Sequence, residues 1–357
     1  MKTFRIGVIG AGMIGRWHAE AIRQLPNAEL VGICDHGSGR GAQFGPRCGC
    51  AAGVCELERF VARDDLDVVT VGAPSGTHAE IAILAARHGK HCIVEKPLDI
   101  SLERIDRMIE AHDRAGTALG GIFNGRYVPT ARLIKQAVEA GRFGRITFGL
   151  AYGPWWREQA YYDQGGWRGT LALDGGGAFM NQGIHTVDLL QWLLGPVRRV
   201  AGMTALLGHE RIEVEDTGGA VVEFASGALG VLACTTSMWP GKSRQVEVAG
   251  THGTVSMGDS MFNSWHFRTE TPEDDAIRGE YMAKATAAVG ASDPSAGFSA
   301  DSHRENFAAF LEAVAAGRRP AVDGREARKA VRIILAIYES ARRGGAPVEL
   351  APEPPTD

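Results

Sequence analysis

Between a short β-rich run, FRIGVIG, and a helical stretch, MIGRWHAEAIRQL, the chain carries GAGMIG, with Gly10, Gly12 and Gly15 at fixed spacing. Three glycines at the exit of a first strand constrain the fold strongly. They permit a tight strand-to-helix turn and a close backbone approach, and they leave the first N–H groups of the helix, including those of Met13 and Ile14, facing outward at the positive end of its dipole. A pyrophosphate fits such a turn. A second strand, AELVGICD, ends at Asp35, about 20 residues past the last glycine, where an acid binds the ribose hydroxyls of an adenosine. The combination predicts a dinucleotide site. Asp35 repels a 2′-phosphate and so favours NAD, with NADP still admissible through His36 and Arg40.

The strand and helix patterns keep alternating. LDVVTVGAP, KHCIVEKP and TALGGIF continue the series to about residue 125, which implies a parallel, doubly wound sheet. After Arg126 the pattern changes to one helix, TARLIKQAVEAG, and then to strand-like runs: RITFGLAY, TGGAVVEFASGALGVLACTTS, SRQVEVAG and GTVSM. Ala225, Ser226 and Gly227 make a hairpin turn between two of them. The expected architecture is thus an α/β Rossmann domain over 1–125 and an α+β domain with a large open, mainly antiparallel sheet over 126–357. Residues 271–300, rich in Ala, Gly, Ser and Asp, read as a mobile loop. NFAAFLEAVAAG and EARKAVRIILAIYESARRGG close the chain as two helices, each ending at glycine and the last able to pack back on the first domain.

Composition excludes several classes. With 357 residues, 45% hydrophobic and 22% charged, and a formal net charge of -4, the chain has no basic patch for nucleic acid and no apolar run of membrane-spanning length. No signal-peptide architecture precedes the first strand, so the expected compartment is the cytoplasm. The six cysteines are expected to be reduced, and CGCAAGVC lacks a second ligand pair at zinc spacing, so it reads as a loop of small residues and no metal is expected.

Two further stretches carry chemistry. VEKP places Glu95, Lys96 and Pro97 at the carboxyl end of a strand, where ligands of such sheets bind. APSGTHA leaves the preceding strand in the same way; Ala73 and Pro74 press a loop against the cofactor, and Ser75 or His78 donates hydrogen bonds. In LDGGGAFMNQGIHTVDLLQWLLG, Met180, Ile184, Val187, Leu190, Leu193 and Leu194 make an apolar helix face, while Asn181, His185 and Asp188 run along it as a polar stripe. Buried polar groups need partners, so something polar faces the stripe. A lone histidine in such a helix is often a satisfied core residue; paired with Lys96 and a nucleotide fold, His185 becomes a candidate base. Asp188, one turn on, is placed to pair with it. Ahead of the helix, Trp155, Trp156, Arg157, Tyr161, Tyr162, Trp167 and Arg168 offer aromatic faces for sugar C–H groups and guanidinium forks for carboxylate or phosphate, although core or subunit-interface roles suit the same aromatics.

GAGMIG with Asp35, VEKP and NQGIHTVD together resemble the glucose-fructose oxidoreductase and inositol dehydrogenase family, Gfo/Idh/MocA, from residue 3 to about 350. The resemblance implies catalytic roles for Lys96 and His185, an approach of Asn124 to the nicotinamide, and places for Arg126 and His303 near the substrate cleft. It further implies a homodimer or homotetramer formed through the second-domain sheet. Asn181 departs from the aspartate common in the family, and MNQGIH resembles branches acting on sugars, sugar acids and nucleotide sugars. The reaction implied is hydride transfer between a secondary alcohol of a carbohydrate and NAD(P). Alternatives of the same fold are a keto-sugar reductase, a glycoside-cleaving enzyme that uses transient oxidation, and a non-catalytic NAD-binding regulator.

Overall fold

In this computed structural model, residues 2–35, 40, 52–54, 56–282 and 300–352 are described. The chain divides into two compact units, the first formed by Met1–Asn124, Ala172–Gly175 and Ser299–Val331, the second by Gly125–Leu171, Gly176–Phe298 and Arg332–Asp357. A single cut near residue 125 therefore misses the return of residues 299–331 to the first unit. Apolar spacing drives that return. In the helix Ala300–Ala315, Phe307, Phe310 and Leu311 join Phe4, Ile6, Val8 and Ile22 in one buried cluster, and burying each such side chain contributes about 1.5–3 kcal/mol.

The first unit is built on six parallel strands, β1 (Phe4–Ile9), β2 (Ala28–Asp35), β3 (Ala52–Val54), β4 (Val68–Val71), β5 (His91–Val94) and β6 (Leu119–Gly121), in the order β3-β2-β1-β4-β5-β6. Continuous apolar runs such as Val68–Val71 suit strands covered on both faces. β1 has β2 on one side and β4 on the other, so the strand order reverses there. That is the switch point at which ligands of such sheets bind. Ala52–Val54, expected to be loop, pairs in parallel with Ile33–Asp35 as the edge strand; three small residues are too short for a periodic signal. Cys34 is disulfide-bonded, against the expectation of reduced thiols, whereas Cys92 and Cys234 are free and buried. Sequence spacing holds no signature for such a bond, because the pairing is set by where the fold brings the sulfurs. Cys48, Cys50, Cys55 and His36 lie outside the described residues.

A buried imidazole makes this unit acid-sensitive. His112, in the helix Leu102–Ala115, donates from Nε2 to the Ala82 carbonyl at 3.0 Å and accepts at Nδ1 from the Thr117 hydroxyl at 2.7 Å. Burial lowers its pKa to about 4. The unfolded chain, with an ordinary histidine, binds this proton more readily, so the stability contribution is full above pH 6.5 and is lost as pH falls through 6.5 toward 4. Unfolding titrations in urea at pH 7 and pH 4 are expected to differ by roughly 3 kcal/mol from this group, and His112→Gln is expected to flatten that part of the curve.

The second unit carries an eight-stranded sheet ordered β13-β12-β11-β7-β10-β9-β8-β14. Its strands are β7 (Ile146–Pro154), β8 (Val197–Ala205), β9 (Thr217–Phe224), β10 (Leu229–Thr235), β11 (Gln245–Gly250), β12 (Gly253–Met257), β13 (Phe262–Phe267) and β14 (Val348–Glu349). Neighbours are antiparallel except β7 and β10, which pair in parallel. Ala225–Gly227 does turn the β9–β10 hairpin, with Gly227 N–H donating to the Phe224 carbonyl at 2.9 Å. Part of the expected 271–300 loop is instead a helix, Pro272–Tyr281. Thr271 and Asp274 form a capping box, Pro272 sits at the first turn, and three acids follow. A composition reading overlooks such a start signal. Among the described residues, no helix is long and apolar enough to cross a membrane.

Candidate active site

In the first unit, Gly10 has φ +107°, and a Cβ there would lie 2.5 Å from the Gly72 carbonyl oxygen; one on Gly15 would lie 2.0 Å from the Gly10 oxygen. The turn admits only glycine at both positions. A Cβ on Gly12 would meet nothing within 4 Å, so this position opens outward. The helix it begins, Met13–Arg23, has neither a side-chain cap nor an acidic residue in its first turn. An uncapped N-terminus above an open glycine is the cradle a pyrophosphate requires, so the residues present fit a dinucleotide. Ile14 is half-buried and Met13 is exposed beside this turn. Asp35 ends β2 with 2% exposure, and Arg40 is exposed.

The two loops leaving β4 and β5 are tied together. Both ring nitrogens of buried His78 face carbonyl oxygens, Nδ1 that of Pro97 and Nε2 that of Ala73, each at 2.9 Å. The ring expected to donate to a dinucleotide is thus engaged by the protein, and it links the Ala73–Pro74–Ser75 loop to the EKP turn. Arg104 reinforces this link, donating to Asp99 Oδ1 at 2.7 Å and to the Gly76 carbonyl at 2.6 Å. Asp99 also accepts the Ala79 N–H at 2.8 Å, which secures the start of the next helix. Lys96, half-buried, is the second residue beyond β5.

Glu95 is 5% exposed, with Oε1 3.0 Å from His18 Nε2 and 3.4 Å from His303 Nε2. Burial pushes its pKa up, but the hydrogen bonds from the two imidazoles outweigh that and hold it well below the usual carboxylate range. His303, expected near substrate, is instead 2% exposed against Glu95 and Asn124. His18 carries no sequence signal: within MIGRWHAEA it occupies an inward helical position, where spacing alone predicts an ordinary core side chain.

In the second unit, the polar stripe stands on two kinds of turn. Ala178–Gly183 is a π-helical segment, followed by the α-helix Ile184–Leu194. The predicted regular α-helix is therefore corrected, since an i→i+5 turn shifts the register of Asn181 relative to His185. The entry to this segment is anchored by Glu215, whose buried carboxylate accepts the N–H groups of Gly177 and Phe179 at 2.9 Å each and the Tyr338 hydroxyl at 2.8 Å. The apolar face is buried as expected; Asn181 is 9% exposed, and His185, in the first turn of the α-helix, is half-buried.

Arg126 and Asp188 find each other. The guanidinium donates through Nε to Oδ2 at 2.7 Å and through Nη2 to Oδ1 at 2.6 Å, with the residues 5% and 1% exposed. The fork assigned to substrate thus lies on the carboxylate assigned to His185. Two charges from segments 62 positions apart pair because neither is stable buried alone. Arg157 donates through Nη2 to Gln182 Oε1 at 2.8 Å, and Gln182 donates in turn to the Tyr161 hydroxyl at 2.9 Å and to Asn181 Oδ1 at 2.8 Å. Gln182 is a residue the sequence reading missed, although it lies inside MNQGIH. Arg168, half-buried, stands 4.6 Å from the Tyr161 ring centroid and 5.0 Å from that of Trp167. Tyr162 is core: its hydroxyl meets Thr236 Oγ1 at 2.9 Å and its ring packs edge-on to His209. Trp155 and Trp156 are half-buried, the latter against His209 and Trp239.

Residues 4–121 match the family model described as an oxidoreductase family with an NAD-binding Rossmann fold, and residues 131–256 match the GFO/IDH/MocA C-terminal domain. Myo-inositol 2-dehydrogenase of Thermotoga maritima is 29% identical over 349 residues, covering 94% of this chain and 96% of its own length. 1,5-Anhydro-D-fructose reductase of Ensifer adhaerens is 32% identical over 261 residues, 70% of this chain and 74% of its own. Among solved structures, the WlbA dehydrogenase of Bordetella pertussis, in complex with NADH and UDP-GlcNAcA, is 34% identical, with a TM-score of 0.88 and 99% of each chain covered. A glycine turn built for a dinucleotide, the EKP exit and the Asn181–His185 helix thus lie within matches that span both units, and the chain belongs to the GFO/IDH/MocA family of NAD-binding oxidoreductases.

Proposed function

We propose that this protein is an NAD-dependent dehydrogenase that oxidises a secondary alcohol of a sugar acid or nucleotide sugar. The observation that carries the substrate class is the Arg157–Gln182–Asn181 chain, which connects a buried guanidinium and the Tyr161 ring to the segment preceding His185, with Arg168 stacked on the same ring. Aromatic faces suit sugar C–H groups, and guanidinium forks suit carboxylates and phosphates. The WlbA relative, crystallised with UDP-GlcNAcA, supports the same class. The dinucleotide, held at Gly10–Gly15 with Asp35 on its ribose, supplies the acceptor for the hydride. His185 takes the hydroxyl proton, as imidazole is well matched to proton transfer near neutral pH. Lys96 holds the same oxygen and stabilises the negative charge that develops on it. Asn181 orients a neighbouring hydroxyl; an amide accepts a hydrogen bond but no proton.

A homo-oligomer is part of this reading. Phe148, Met203, Val221 and Leu229 are exposed on one face of the eight-stranded sheet, which is suited to an isologous contact. Purified protein, freed of any bound dinucleotide, is to be screened with uronic acids, nucleotide sugars, free sugars and glycosides. Net NAD reduction with an anionic sugar supports the proposal; glycoside cleavage without net reduction replaces it with the transient-oxidation alternative. In the cofactor half, wild type is expected to bind NAD more tightly than NADP, and Asp35→Ser is expected to narrow that preference by about tenfold, on the order of 1.4 kcal/mol. Fluorescence titrations of the reduced dinucleotides check this, and a wild-type preference for NADP overturns the role of Asp35.

A further inference from the structure

Thr70, His18, His303, Asn124 and the Lys96 backbone form a hydrogen-bonded assembly around Glu95 in the first unit. Proton accounting fixes its direction. Glu95 Oε2 accepts the Lys96 backbone N–H at 3.0 Å, and Oε1 faces His18 Nε2 and His303 Nε2. On the far side of each ring, His18 Nδ1 lies 2.9 Å from Thr70 Oγ1, and His303 Nδ1 lies 3.4 Å from Asn124 Nδ2. An amide NH2 only donates, so His303 Nδ1 accepts and its proton sits on Nε2. Glu95 is held ionised, so His18 presents Nε2–H to its Oε1, and the Thr70 hydroxyl is then placed to donate to His18 Nδ1. Among the described residues, the groups that meet Glu95 then donate toward its carboxylate. Thr70, His18 and His303 are 0%, 0% and 2% exposed, so bulk solvent does not compete for these bonds.

The three side chains that ligand geometry brings together here, His18, Glu95 and His303, also have the composition of a metal site. Ligation would need both Nε2 lone pairs where the hydrogen-bond pattern puts protons. The arrangement is that of a carboxylate clamp.

We propose that His18 and His303 are positioning residues for Lys96: two neutral imidazoles donating from Nε2 hold the Glu95 carboxylate, whose second oxygen takes the Lys96 N–H and sets the turn from which the lysine side chain departs. The three anchors come from separate parts of the unit, Glu95 from the turn just beyond β5, His18 from the helix Met13–Arg23 and His303 from the helix Ala300–Ala315. His18 lies on the helix whose N-terminus is the dinucleotide cradle, so one rigid element serves both the cofactor and the catalytic lysine. The idea rests on the reading of Lys96 as the group that holds the substrate oxygen.

The test uses full-length protein. In ¹⁵N-histidine-labelled wild type, long-range ¹H–¹⁵N spectra are expected to show both rings neutral with the proton on Nε2, the two signals being identified by their loss in His18→Gln and His303→Gln. Doubly protonated rings, Nδ1–H tautomers or metal-shifted Nε2 signals overturn the clamp, and this measurement needs neither substrate nor a variant that tolerates an apolar replacement. Kinetics with the best-turned-over sugar of the screen then test positioning. His303→Leu and His18→Leu are expected to lose tenfold or more in kcat while NADH affinity, read from nicotinamide fluorescence, stays within about threefold. The Gln variants, which keep a donor near the Nε2 position, are expected to regain most of that loss. Wild-type kcat in the Leu variants, or no recovery with Gln, overturns the proposal. If Lys96→Met itself turns over at the wild-type rate, the assigned role of Lys96 falls, while the spectra still decide the clamp.

Discussion

Replacement of His185 by alanine is expected to depress turnover by roughly a hundredfold or more while leaving NADH affinity nearly unchanged. The side chain sits in the first turn of Ile184–Leu194 in the second unit, whereas the glycine cradle belongs to the first. Under the proposed mechanism, loss of the imidazole removes the proton acceptor without touching the dinucleotide seat. Lys96→Ala is expected to lower turnover too, and under the proposed mechanism, in which both groups act on one oxygen, the double variant should lose less than the product of the single effects. Steady-state kinetics with the screened sugar, paired with fluorescence titration of NADH, separate these outcomes. A structural histidine predicts a different pattern: a lower melting temperature, with the folded fraction turning over at the wild-type rate.

Asp188→Ala is expected to destabilise the protein by about 3–5 kcal/mol, because it leaves the Arg126 guanidinium buried without its carboxylate. Few other single substitutions should approach that loss. A double replacement, Arg126→Met with Asp188→Leu, removes both charges and keeps apolar volume, so it should recover most of the stability. Urea denaturation of the three proteins measures the difference directly. If Arg126 were instead a substrate ligand, Asp188→Ala would leave unfolding unmoved and raise KM.

Periodicity and turn chemistry made much of this molecule legible in one dimension. GAGMIG between a strand and a helix, Asp35 at the next strand end, and the alternation up to Phe123 specify a parallel sheet with a dinucleotide cradle, because glycine freedom, helix polarity and strand period are local properties of the chain. The Ala225–Gly227 hairpin and the apolar face around His185 follow for the same reason. The positions of Lys96 at a strand exit and of His185 on a helix stripe are legible in the same way, and their catalytic roles are proposals. What the sequence left open is who meets whom. Arg126 was assigned to a substrate and Asp188 to His185, yet burial joined them to each other, since a charge taken out of water pairs with whatever opposite charge the fold brings to it. His303, 208 positions from Glu95, and His18, 77 positions from it, converge on one carboxylate, and neither spacing nor composition signals that convergence. The π-helical turn before His185 and the short edge strand Ala52–Val54 belong to the same class: each depends on contacts with distant segments, Glu215 for one and β2 for the other. Outside those two segments, backbone conformation is set by local properties of the chain; the partners of buried polar groups are chosen by packing, where desolvation makes every unpaired group costly and the tertiary fold alone decides which groups are within reach.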